Sequence, residues 1–442
     1  MRPRIVATAL ACLVASGLSS HTPAIGASKN AAQSPAFLSQ EYLRQSLQGQ
    51  AGIALDLNGT GNQDLIVGAP RAEHKNATGS VLIYRATPGG FAAKPVILEG
   101  EGNFGWSLAA LGDVNGDGKS LFAVGAINGS GEIPVAGTVT IYKGGDKPQK
   151  VAVLSGERAM DRFGYTLAVG DLNGDGKPDL IVGAPYHSPT PALYQKGAVY
   201  IFFGPDYKTY KKIPATSSNS GLGFSMAAGN ISGGDGVDDL LLQASGKVIC
   251  YYGTNSFATD PLPPTPDVTF TSTDVGFGKS IAVLWDLNGD GFKDVAVGAD
   301  QVAIGGVTYC GRLHILKGTS VKGTYSANAV SLGKIDGEPN GGRFGSGLLV
   351  LGDISGDGTP DLAVSAVHAD GNPWPMTGKI FLFSGSTLTA GATVASAQAI
   401  PGSARDMHLG SFMALVGNGA RLAAGAPTEN ANTGAVRLFD LQ

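Results

Sequence analysis

Hydrophobic and polar positions alternate in short runs along most of the chain, and turn residues separate the runs. The apolar stretch at residues 163–169, for example, is followed by an acidic, glycine-rich segment and then by the run Leu180 to Ala184. Alternation with period two, or a continuous apolar run of about four to eight residues, is typical of β-strands. Since no stretch keeps the 3.6-residue period of a helix for long, the pattern predicts an all-β chain of short strands.

One unit recurs seven times, and we call the copies repeats one to seven. The clearest copy reads RFGYTLAVGDLNGDGKPDLIVGAP at residues 162–185 and is followed by GAVYIFFG at 197–204. The Gly-Ala element, or its replacement, begins at Gly68, Gly125, Gly183, Gln243, Gly298, Ser365 and Gly425. Successive spacings of 57, 58, 60, 55, 67 and 60 residues leave room for four short strands in each unit.

Repeated four-stranded units are typical of β-propellers, which avoid long open sheet edges. We therefore expect residues 48–442 to form a seven-bladed β-propeller of four-stranded blades. Repeat seven ends after its third strand, so residues 37–47 are expected to supply the missing outer strand and close the ring by pairing the N-terminal and C-terminal segments. The alternative is that the leader (residues 28–47) is frayed and unpaired, since the stretch 37–47 is also compatible with a short helix.

The first 27 residues have the three-part layout of a secretory signal. Arg2 and Arg4 precede an apolar run of about 14 residues, Ile5 to Leu18, and small residues follow near the expected cleavage site at 24–27. A membrane anchor is disfavoured because such a run is too short for roughly 30 Å of hydrocarbon, and no later segment reaches a membrane-spanning length. Lipid modification of Cys12 is a weaker alternative. The expected location is secreted, either periplasmic or extracellular, after signal removal.

The composition and charge limit the classes of partner that the chain is expected to bind. The chain has 67 glycines and 24 prolines with only 15% charged residues, which suits a core with many tight turns. Its net charge of −4 and the lack of a basic run give no means of neutralising phosphates, so nucleic acid is not an expected partner. Cys250 and Cys310 are predicted to be free, buried thiols, because the repeat alignment offsets them beyond the reach of a disulfide.

Between the first two strands of each unit lies an acidic loop. In its full form, Asp-x-Asn-Gly-Asp-Gly-x-x-Asp, oxygen ligands stand at positions one, three, five and nine, and glycines allow the chain to bend. Such oxygens suit Ca²⁺. The loop is not predicted to be an EF-hand, because a strand residue stands at position twelve, where an EF-hand has Glu, and a calcium site within a β-hairpin is predicted instead. The strongest predicted sites are Asp171, Asn173, Asp175 and Asp179 in repeat three, Asp286, Asn288, Asp290 and Asp294 in repeat five, and Asp353, Ser355, Asp357 and Asp361 in repeat six.

Four loops depart from this form. Two are predicted to be weaker calcium sites: repeat two with Asp113, Asn115 and Asp117 but Leu121 at position nine, and repeat one with Asp56, Asn58 and Asp64. Two are expected to be empty turns: repeat four, with Asn230, Ser232, Asp235 and Asp239 around an extra residue, and repeat seven, which has no carboxylate. Three to five calcium ions are expected in total.

The combination of Phe-Gly, an acidic loop and Gly-Ala-Pro in one unit resembles the FG-GAP repeat of integrin α chains, which also occurs in bacterial secreted proteins and in a phospholipase that cleaves lipid-anchored proteins. The resemblance covers roughly residues 48–442 and implies a seven-bladed propeller with calcium on one face and ligand recognition on the other. No leg domain or membrane span of integrins is recognised in the sequence, so integrin-type signalling is not expected.

The loops opposite the acidic ones are the candidate ligand surface, since binding residues concentrate on loops carried by a rigid scaffold. They include residues 186–196, 299–309 and 367–377. Aromatic and polar side chains there are the candidate ligand-binding residues: Tyr186, His187, Tyr194, His368 and Trp374.

No arrangement of His, Cys, Ser or acidic residues predicts catalysis, so the chain is not expected to be an enzyme. The favoured hypothesis is a binding or adhesion module for an extracellular protein or cell-surface ligand, with structural calcium. A carbohydrate-binding lectin, whose ligand would be a glycan, is the first alternative, and a propeller hydrolase is the second. The oligomeric state is not predicted.

Overall fold

The computed structural model describes residues 51–74, 77–216, 220–261, 265–370, 375–389, 391–403, 407–417, 419–428 and 434–441. The predicted signal at 1–27 and the leader at 28–47, including the proposed closing strand at 37–47, lie outside these residues. The described part is built of β-strands, with three short 3₁₀ turns at Pro191–Leu193, Gly385–Thr387 and Val394–Ser396. No helix in these described ranges is long and apolar enough to cross a membrane.

Repeats one and two share a single eight-stranded sheet. Repeat one contributes β1 (Gly52–Leu55), β2 (Asp64–His74), β3 (Ala77–Tyr84) and β6 (Val96–Glu99), and a small hairpin of β4 (Ala86–Thr87) and β5 (Gly90–Phe91) lies between β3 and β6. Repeat two contributes β7 (Phe104–Gly112), β8 (Leu121–Ala126), β9 (Thr138–Lys143) and β10 (Gln149–Ser155). Within each half the pairing is antiparallel, and a single parallel pair, Gly79 with Phe104, joins the halves.

The later repeats form separate sheets in sequence order. Repeat three has β11 (Leu167–Gly170), β12 (Asp179–Ala184), β13 (Ala198–Phe202) and β14 (Tyr210–Pro214). Repeat four has β15 (Met226–Gly229), β16 (Asp239–Ala244), β17 (Lys247–Tyr251) and β18 (Val268–Thr271). Repeat five has β19 (Phe277–Val283), β20 (Val295–Ala299), β21 (Arg312–Leu316) and β23 (Ser331–Asp336). Repeat six has β24 (Phe344–Val350), β25 (Leu362–Ala366), β26 (Lys379–Phe383) and β27 (Gln398–Pro401), and repeat seven has β28 (Met413–Val416), β29 (Arg421–Ala426) and β30 (Ala435–Asp440).

One strand leaves its own repeat. β22 (Gly323–Ser326) lies between β21 and β23 in the chain, but it pairs in parallel with β18 and adds a fifth strand to the sheet of repeat four. The Tyr252 hydroxyl donates a 2.6 Å hydrogen bond to the Thr319 carbonyl, and Lys322 Nζ lies 2.6 Å from Asp267 Oδ1. This excursion accounts for the long spacing of 67 residues between the elements at Gly298 and Ser365.

The structure confirms an all-β propeller arrangement with sheets of about four strands, but the expectation of seven separate four-stranded sheets is wrong. The Gly79–Phe104 pair merges the first two, β22 enlarges the fourth, and three strands form the last sheet within the described residues. Sequence periodicity predicts the strands within a unit. The merging of the first two sheets and the enlargement of the fourth depend on hydrogen bonds between units, which the periodicity does not predict.

The hydrophobic core lies between consecutive repeats. Among the described residues, seven buried clusters each join neighbouring repeats, in the order one–two, two–three and onward to six–seven. The remaining cluster joins repeat seven to repeat one and includes Leu65 and Val67 of β2 with Ala414 of β28 and Val436 of β30. The first and last repeats therefore pack directly against each other.

The two recurring glycines of the unit meet at these interfaces. A Cβ atom on Gly183 would lie 2.4 Å from the carbonyl oxygen of Gly223 in the next repeat, and one on Gly298 would lie 2.1 Å from that of Gly345. The Phe-Gly glycine also adopts a left-handed backbone, with φ of 83° at Gly345, which glycine tolerates best. The motif thus sets how closely neighbouring sheets approach.

Cys250 and Cys310 are both free and buried, which confirms the prediction for these thiols. Cys250 lies within β17, and Cys310 lies two residues before β21, the third strand of repeat five. Burial raises the pKa of Cys250 well above its usual value, so this thiol is held in its protonated, weakly reactive form.

Candidate functional site

The acidic loop of repeat three shows how these segments fold. It joins β11 to β12 and wraps around its first residue: Asp171 Oδ1 accepts a 3.1 Å hydrogen bond from the Asp175 amide, and Asp171 Oδ2 accepts one of 2.8 Å from the Gly176 amide. Asn173 Oδ1 also accepts from the Asp175 amide at 3.1 Å. The backbone thus gathers the first three predicted ligands into one tight turn.

The ninth residue of the loop has a second role that the sequence did not reveal. Asp179 is fully buried at the start of β12, where it accepts hydrogen bonds from the amides of Leu172 (3.0 Å) and Gly204 (3.1 Å). It thereby ties its own loop to the loop after the third strand. Burial raises the pKa of Asp179 to about 7, although both amides favour the ionised form.

The loops of repeats five and six repeat this arrangement. Asp294 is buried and accepts from the amides of Leu287 and Gly318, and burial raises its pKa to about 6. Asp361 occupies the same place in repeat six, and burial raises its pKa as well. A nearby cation would offset the desolvation of these carboxylates.

In repeat six the carboxylates converge most closely. Asp353, Asp357 and Asp361 each bring an oxygen to within 4.8 Å of the other two, and in the part of the chain that the structure describes this is the one such group of three His, Cys, Asp or Glu residues. Burial opposes ionisation of Asp357, but hydroxyl groups from Ser384, Ser386 and Thr359 donate to it and hold its pKa well below the usual range. Four side chains here offer hard oxygen ligands of the kind that Ca²⁺ prefers: Asp353, Asp357, Asp361 and the Ser355 hydroxyl, which lies 3.1 Å from Asp361 Oδ1.

Repeats one and two carry protein cations at their acidic loops. Arg85 Nη1 lies 2.6 Å from Asp64 Oδ2, and Lys143 Nζ forms an ion pair with Asp117. The hydrogen bond from Lys143 is the main cause that lowers the pKa of Asp117. Arg85 and Lys143 hold similar positions, at the end of the third strand of each repeat.

Sequence reasoning missed these two cations, although a basic residue at the end of the third strand was a visible signal. The remaining predicted ligands in the two loops fold as expected for such turns. Asp56 Oδ2 accepts from the Gly61 amide at 2.7 Å, Asn58 accepts from the Thr60 hydroxyl at 3.1 Å, and Asp113 Oδ2 accepts from the Gly118 amide at 2.8 Å. Metal binding by these loops stays a prediction.

The loop of repeat four is held by its own hydrogen bonds. Asn230 donates to Asp235 at 2.9 Å, and Asp239 accepts from the amides of Ile231, Ser232 and Gly253 at 2.7 to 3.0 Å. The expected absence of metal from this loop stays a prediction. In repeat seven the central residue of the corresponding loop lies outside the described residues.

At the opposite ends of the first strands, the predicted ligand-binding residues differ in exposure. Tyr186 and Tyr194 are 37% and 69% exposed, whereas His187 is 1% exposed and its Nδ1 lies 2.8 Å from Asp161 Oδ2. His187 is thus engaged in the interior and is not presented to a ligand. His368 is half-buried beside His408, and Trp374 lies outside the described residues.

A row of aromatic rings crosses this surface, and we call it the aromatic row. Trp106 contacts Tyr165 with ring centroids 5.6 Å apart, Tyr165 contacts Phe224 at 5.4 Å, and Phe224 contacts Tyr186 at 5.7 Å. Three of the four directly follow the Phe-Gly or Leu-Gly pair of repeats two, three and four, and Phe224 is 40% exposed. The signal for this row was the residue after each Phe-Gly, which sequence reasoning did not compare between repeats.

Two glutamates that precede the first strands link the connecting segments to the next repeat. Glu157 pairs with Lys212 Nζ at 2.6 Å and accepts from the Tyr210 hydroxyl at 3.1 Å, both in β14. Glu338 pairs with Lys379 of β26 at 2.6 Å. These contacts give both glutamates a structural explanation.

Comparison with known proteins supports the same interpretation of the repeats. The family model for the FG-GAP repeat matches residues 163–202 and 277–316. Integrin alpha-5 of Xenopus laevis is 31% identical over 236 residues, which are 47% of this chain and 20% of the relative. Human integrin alpha-7 is 34% identical over 162 residues, 33% of this chain and 13% of the relative.

A relative of another kind matches as well. Phosphatidylinositol-glycan-specific phospholipase D of Rattus norvegicus is 30% identical over 210 residues, 48% of this chain and 19% of the relative. The matched segments therefore span about one fifth or less of the lengths of these relatives. The chain therefore carries FG-GAP repeats at residues 163–202 and 277–316 and is similar over part of its length to integrin α chains.

Proposed function

We propose that this chain is a secreted, calcium-stabilised β-propeller that binds an extracellular protein or cell-surface ligand and has no catalytic role. The observation that carries this proposal is the division of each repeat into two ends. In repeat three, for example, Tyr165 of the aromatic row precedes the first strand, and the acidic loop that begins at Asp171 follows that strand. One face then suits a hard cation, and the other suits a ligand.

The proposal includes seven blades. The eight-stranded sheet divides at its single interrepeat pair into two antiparallel halves of four strands each, and one buried cluster separates those halves. Counting the halves separately gives one sheet for each repeat. The packing of repeat seven on repeat one closes the circle, and residues 37–47 are proposed to add the outer strand to the last blade.

Calcium is proposed to bind the loops of repeats three, five and six. Their clustered aspartates repel one another in the absence of a cation, and their oxygens match the preference of Ca²⁺ for six to eight hard ligands at about 2.3 to 2.6 Å. The protein cations beside Asp64 and Asp117 are proposed to lower the calcium affinity of repeats one and two. Three ions are therefore expected to bind first, and up to five at high calcium. The ions would brace the loops and take no part in chemistry.

The aromatic row is the proposed centre of the ligand surface. Aromatic side chains supply large contact area with little loss of conformational freedom, and they are enriched at protein interfaces. Phe224 and Tyr186 are exposed and come from neighbouring repeats, so a ligand resting on them would span an interrepeat boundary.

The proposal is tested by measuring thermal unfolding and bound metal on the same sample. Calcium that binds only the folded chain raises the midpoint, because each site adds RT ln(1 + [L]/Kd) to the free energy of unfolding. Excess chelator is expected to lower the midpoint and remove about three ions. An unchanged midpoint with no bound calcium would refute the calcium part.

The binding part is tested separately in calcium, with the native chain and Phe224→Ala on a panel of extracellular proteins and a glycan array. Tyr210→Ala, in the outer strand β14, is the control for loss of an exposed aromatic ring elsewhere. Selective loss of a protein signal in Phe224→Ala supports the proposal. Signals confined to glycans would favour the lectin alternative.

A further inference from the structure

A cavity of about 410 Å³ opens on the face of repeat two that carries the acidic loop. It lies between the residue before Ser120 and β8 and the segment that joins β9 to β10. The side chains that line it include Lys119, Lys143, Asp146, Lys147 and Gln149. Its volume falls within the roughly 300 to 1,000 Å³ that is typical of small-molecule sites.

The lining of this cavity is positively charged, although the whole chain has a net charge of −4. Lys143 forms an ion pair with Asp117 of the acidic loop. Among the residues that the structure describes, the ammonium groups of Lys119 and Lys147 form no such pair, and both residues are exposed. Asp146 is the one acidic residue of the lining, so the two unpaired lysines leave an excess of positive charge. The cavity therefore attracts an anion.

Other repeats place a buried carboxylate beneath the equivalent segment. In repeat three the Gly204 amide, just after the third strand, donates to the buried Asp179 at 3.1 Å, and repeats four, five and six make the same contact. In repeat two, Leu121 holds this position, and the Gly144 amide donates to the Ser120 carbonyl at 2.8 Å instead. An anion above this segment is thus not repelled by a carboxylate from β8.

The segment that joins β9 to β10 is held in place by repeat one. Arg85 Nη2 donates to the Gly145 carbonyl and to the Asp146 carbonyl, the latter at 3.1 Å. Gly144 packs so closely that an added Cβ atom would lie 2.2 Å from the Leu57 carbonyl oxygen. Gly145 has a φ of 118°, which favours glycine. This wall is therefore largely formed before a ligand binds, which lowers the entropy cost of binding.

The size of the cavity and its remaining groups indicate what carries the anion. A single tetrahedral oxyanion, only a few times the roughly 30 Å³ of a water molecule, would leave most of the cavity to solvent. The Asp146 carboxylate and the Gln149 amide can bond hydroxyl groups. Lys119 extends over Gly145, where an added Cβ atom would lie 3.9 Å from Lys119 Cε, and such an aliphatic stem suits the C–H groups of a sugar ring.

We propose that this cavity binds a sulfated or phosphorylated sugar, with Lys119 and Lys147 on the ester oxyanion and with Asp146 and Gln149 on ring hydroxyls. Ammonium groups bind sulfate and phosphate through charge-assisted hydrogen bonds. The cavity lies at the other end of the first strands from the aromatic row, so the proposal holds whether or not that row binds a protein. It requires no basic run in the sequence, because the lysines come together only in the fold.

The test is a calorimetric titration of the full chain with glucose 6-sulfate in excess calcium. One equivalent is expected to bind, and added sodium chloride should weaken binding because it screens the lysines. Lys119→Gln and Lys147→Gln should each weaken binding by about tenfold, as expected for loss of a hydrogen bond to a charged group. Lys150→Gln, which removes the same charge from β10 outside the lining, is the matched control and should change the affinity by less than about twofold.

Companion titrations separate the parts of the proposal. Glucose 6-phosphate should bind in the same way, inorganic sulfate more weakly, and glucose not measurably; binding of either ester supports the proposal. Phe224→Ala should bind glucose 6-sulfate like the native chain, and a loss there would place the sugar on the aromatic row and overturn the assignment. The proposal is also overturned if neither ester binds, if inorganic sulfate binds as tightly as the esters, or if Lys150→Gln loses as much affinity as Lys147→Gln.

Discussion

The contact between Gly298 and the next repeat gives a sharp test of how the sheets pack. A methyl group added in Gly298→Ala would lie 2.1 Å from the Gly345 carbonyl oxygen and 2.4 Å from the Ser280 hydroxyl. Ordinary contacts between such atoms are about 3.5 Å, so repeats five and six must separate by about 1.4 Å. That separation would also stretch the 2.7 Å hydrogen bond from the Ser280 hydroxyl to the Gly345 carbonyl.

The size of the effect follows from three contributions. Overpacking costs about 1 to 3 kcal/mol, and loss of the hydrogen bond costs about 1 kcal/mol. Alanine lowers the conformational entropy of the unfolded chain, which raises the free energy of unfolding by about 0.4 to 1 kcal/mol and offsets part of this loss. The free energy of unfolding should therefore fall by about 1 to 4 kcal/mol, a large part of the roughly 5 to 15 kcal/mol typical of folded proteins.

Urea unfolding in excess calcium, followed by circular dichroism, measures this change. Gly89→Ala is the matched control, since no atom lies within 4 Å of the place that its added methyl group would take, and Gly89 has no left-handed φ. Its stability should change by less than about 0.5 kcal/mol. Equal urea midpoints for Gly298→Ala and Gly89→Ala would refute the argument that Gly298 sets the sheet spacing.

Three further predictions concern charge. Asp357→Asn should remove one bound calcium ion, measured by metal analysis after dialysis, whereas Asp235→Asn in repeat four should not; equal losses would contradict the assignment. Lys143→Met should strengthen calcium binding by the loop of repeat two in calorimetry, because the ammonium no longer competes at Asp117, and a weaker signal would argue against that competition. Burial lowers the pKa of His314 to about 4 despite Asp274 Oδ2 at 2.8 Å, so the unfolded chain binds the proton first and stability falls by about 3 kcal/mol as the pH drops from about 6.5 to 4. His314→Gln should flatten that part of the urea-midpoint profile against pH, and an unchanged slope would show that His314 is not responsible.

The sequence predicted the features that depend on local pattern. Alternation and turn residues predicted the second strand of repeat three almost to its ends, although β11 begins at Leu167 and not at residue 163, where the apolar stretch begins. The same alignment placed Cys250 and Cys310 apart as free thiols. The fold class and the acidic turns followed because oxygen ligands, glycines and flanking strands all lie within about a dozen residues of one another in the chain.

Features that depend on contacts between repeats were missed. The pairing of Gly79 with Phe104 and the departure of β22 depend on how neighbouring sheets lie, which no local period records. The aromatic row was missed because three of its members, Trp106, Tyr165 and Phe224, follow one another at intervals of 59 residues in the sequence. His187 was assigned to the ligand surface from its loop position, but its contact with Asp161 places it in the interior.

The excursion of β22 bears on how such an array can gain or lose units. A repeat that contacts its neighbours only through side chains can be deleted or duplicated as an independent structural unit. Repeat five cannot, because removing it would also strip the outermost strand from repeat four and leave the backbone of β18 unpaired along that edge. Repeats four and five are therefore expected to be deleted or duplicated only together. A shortened or lengthened descendant of this chain should retain or duplicate both repeats.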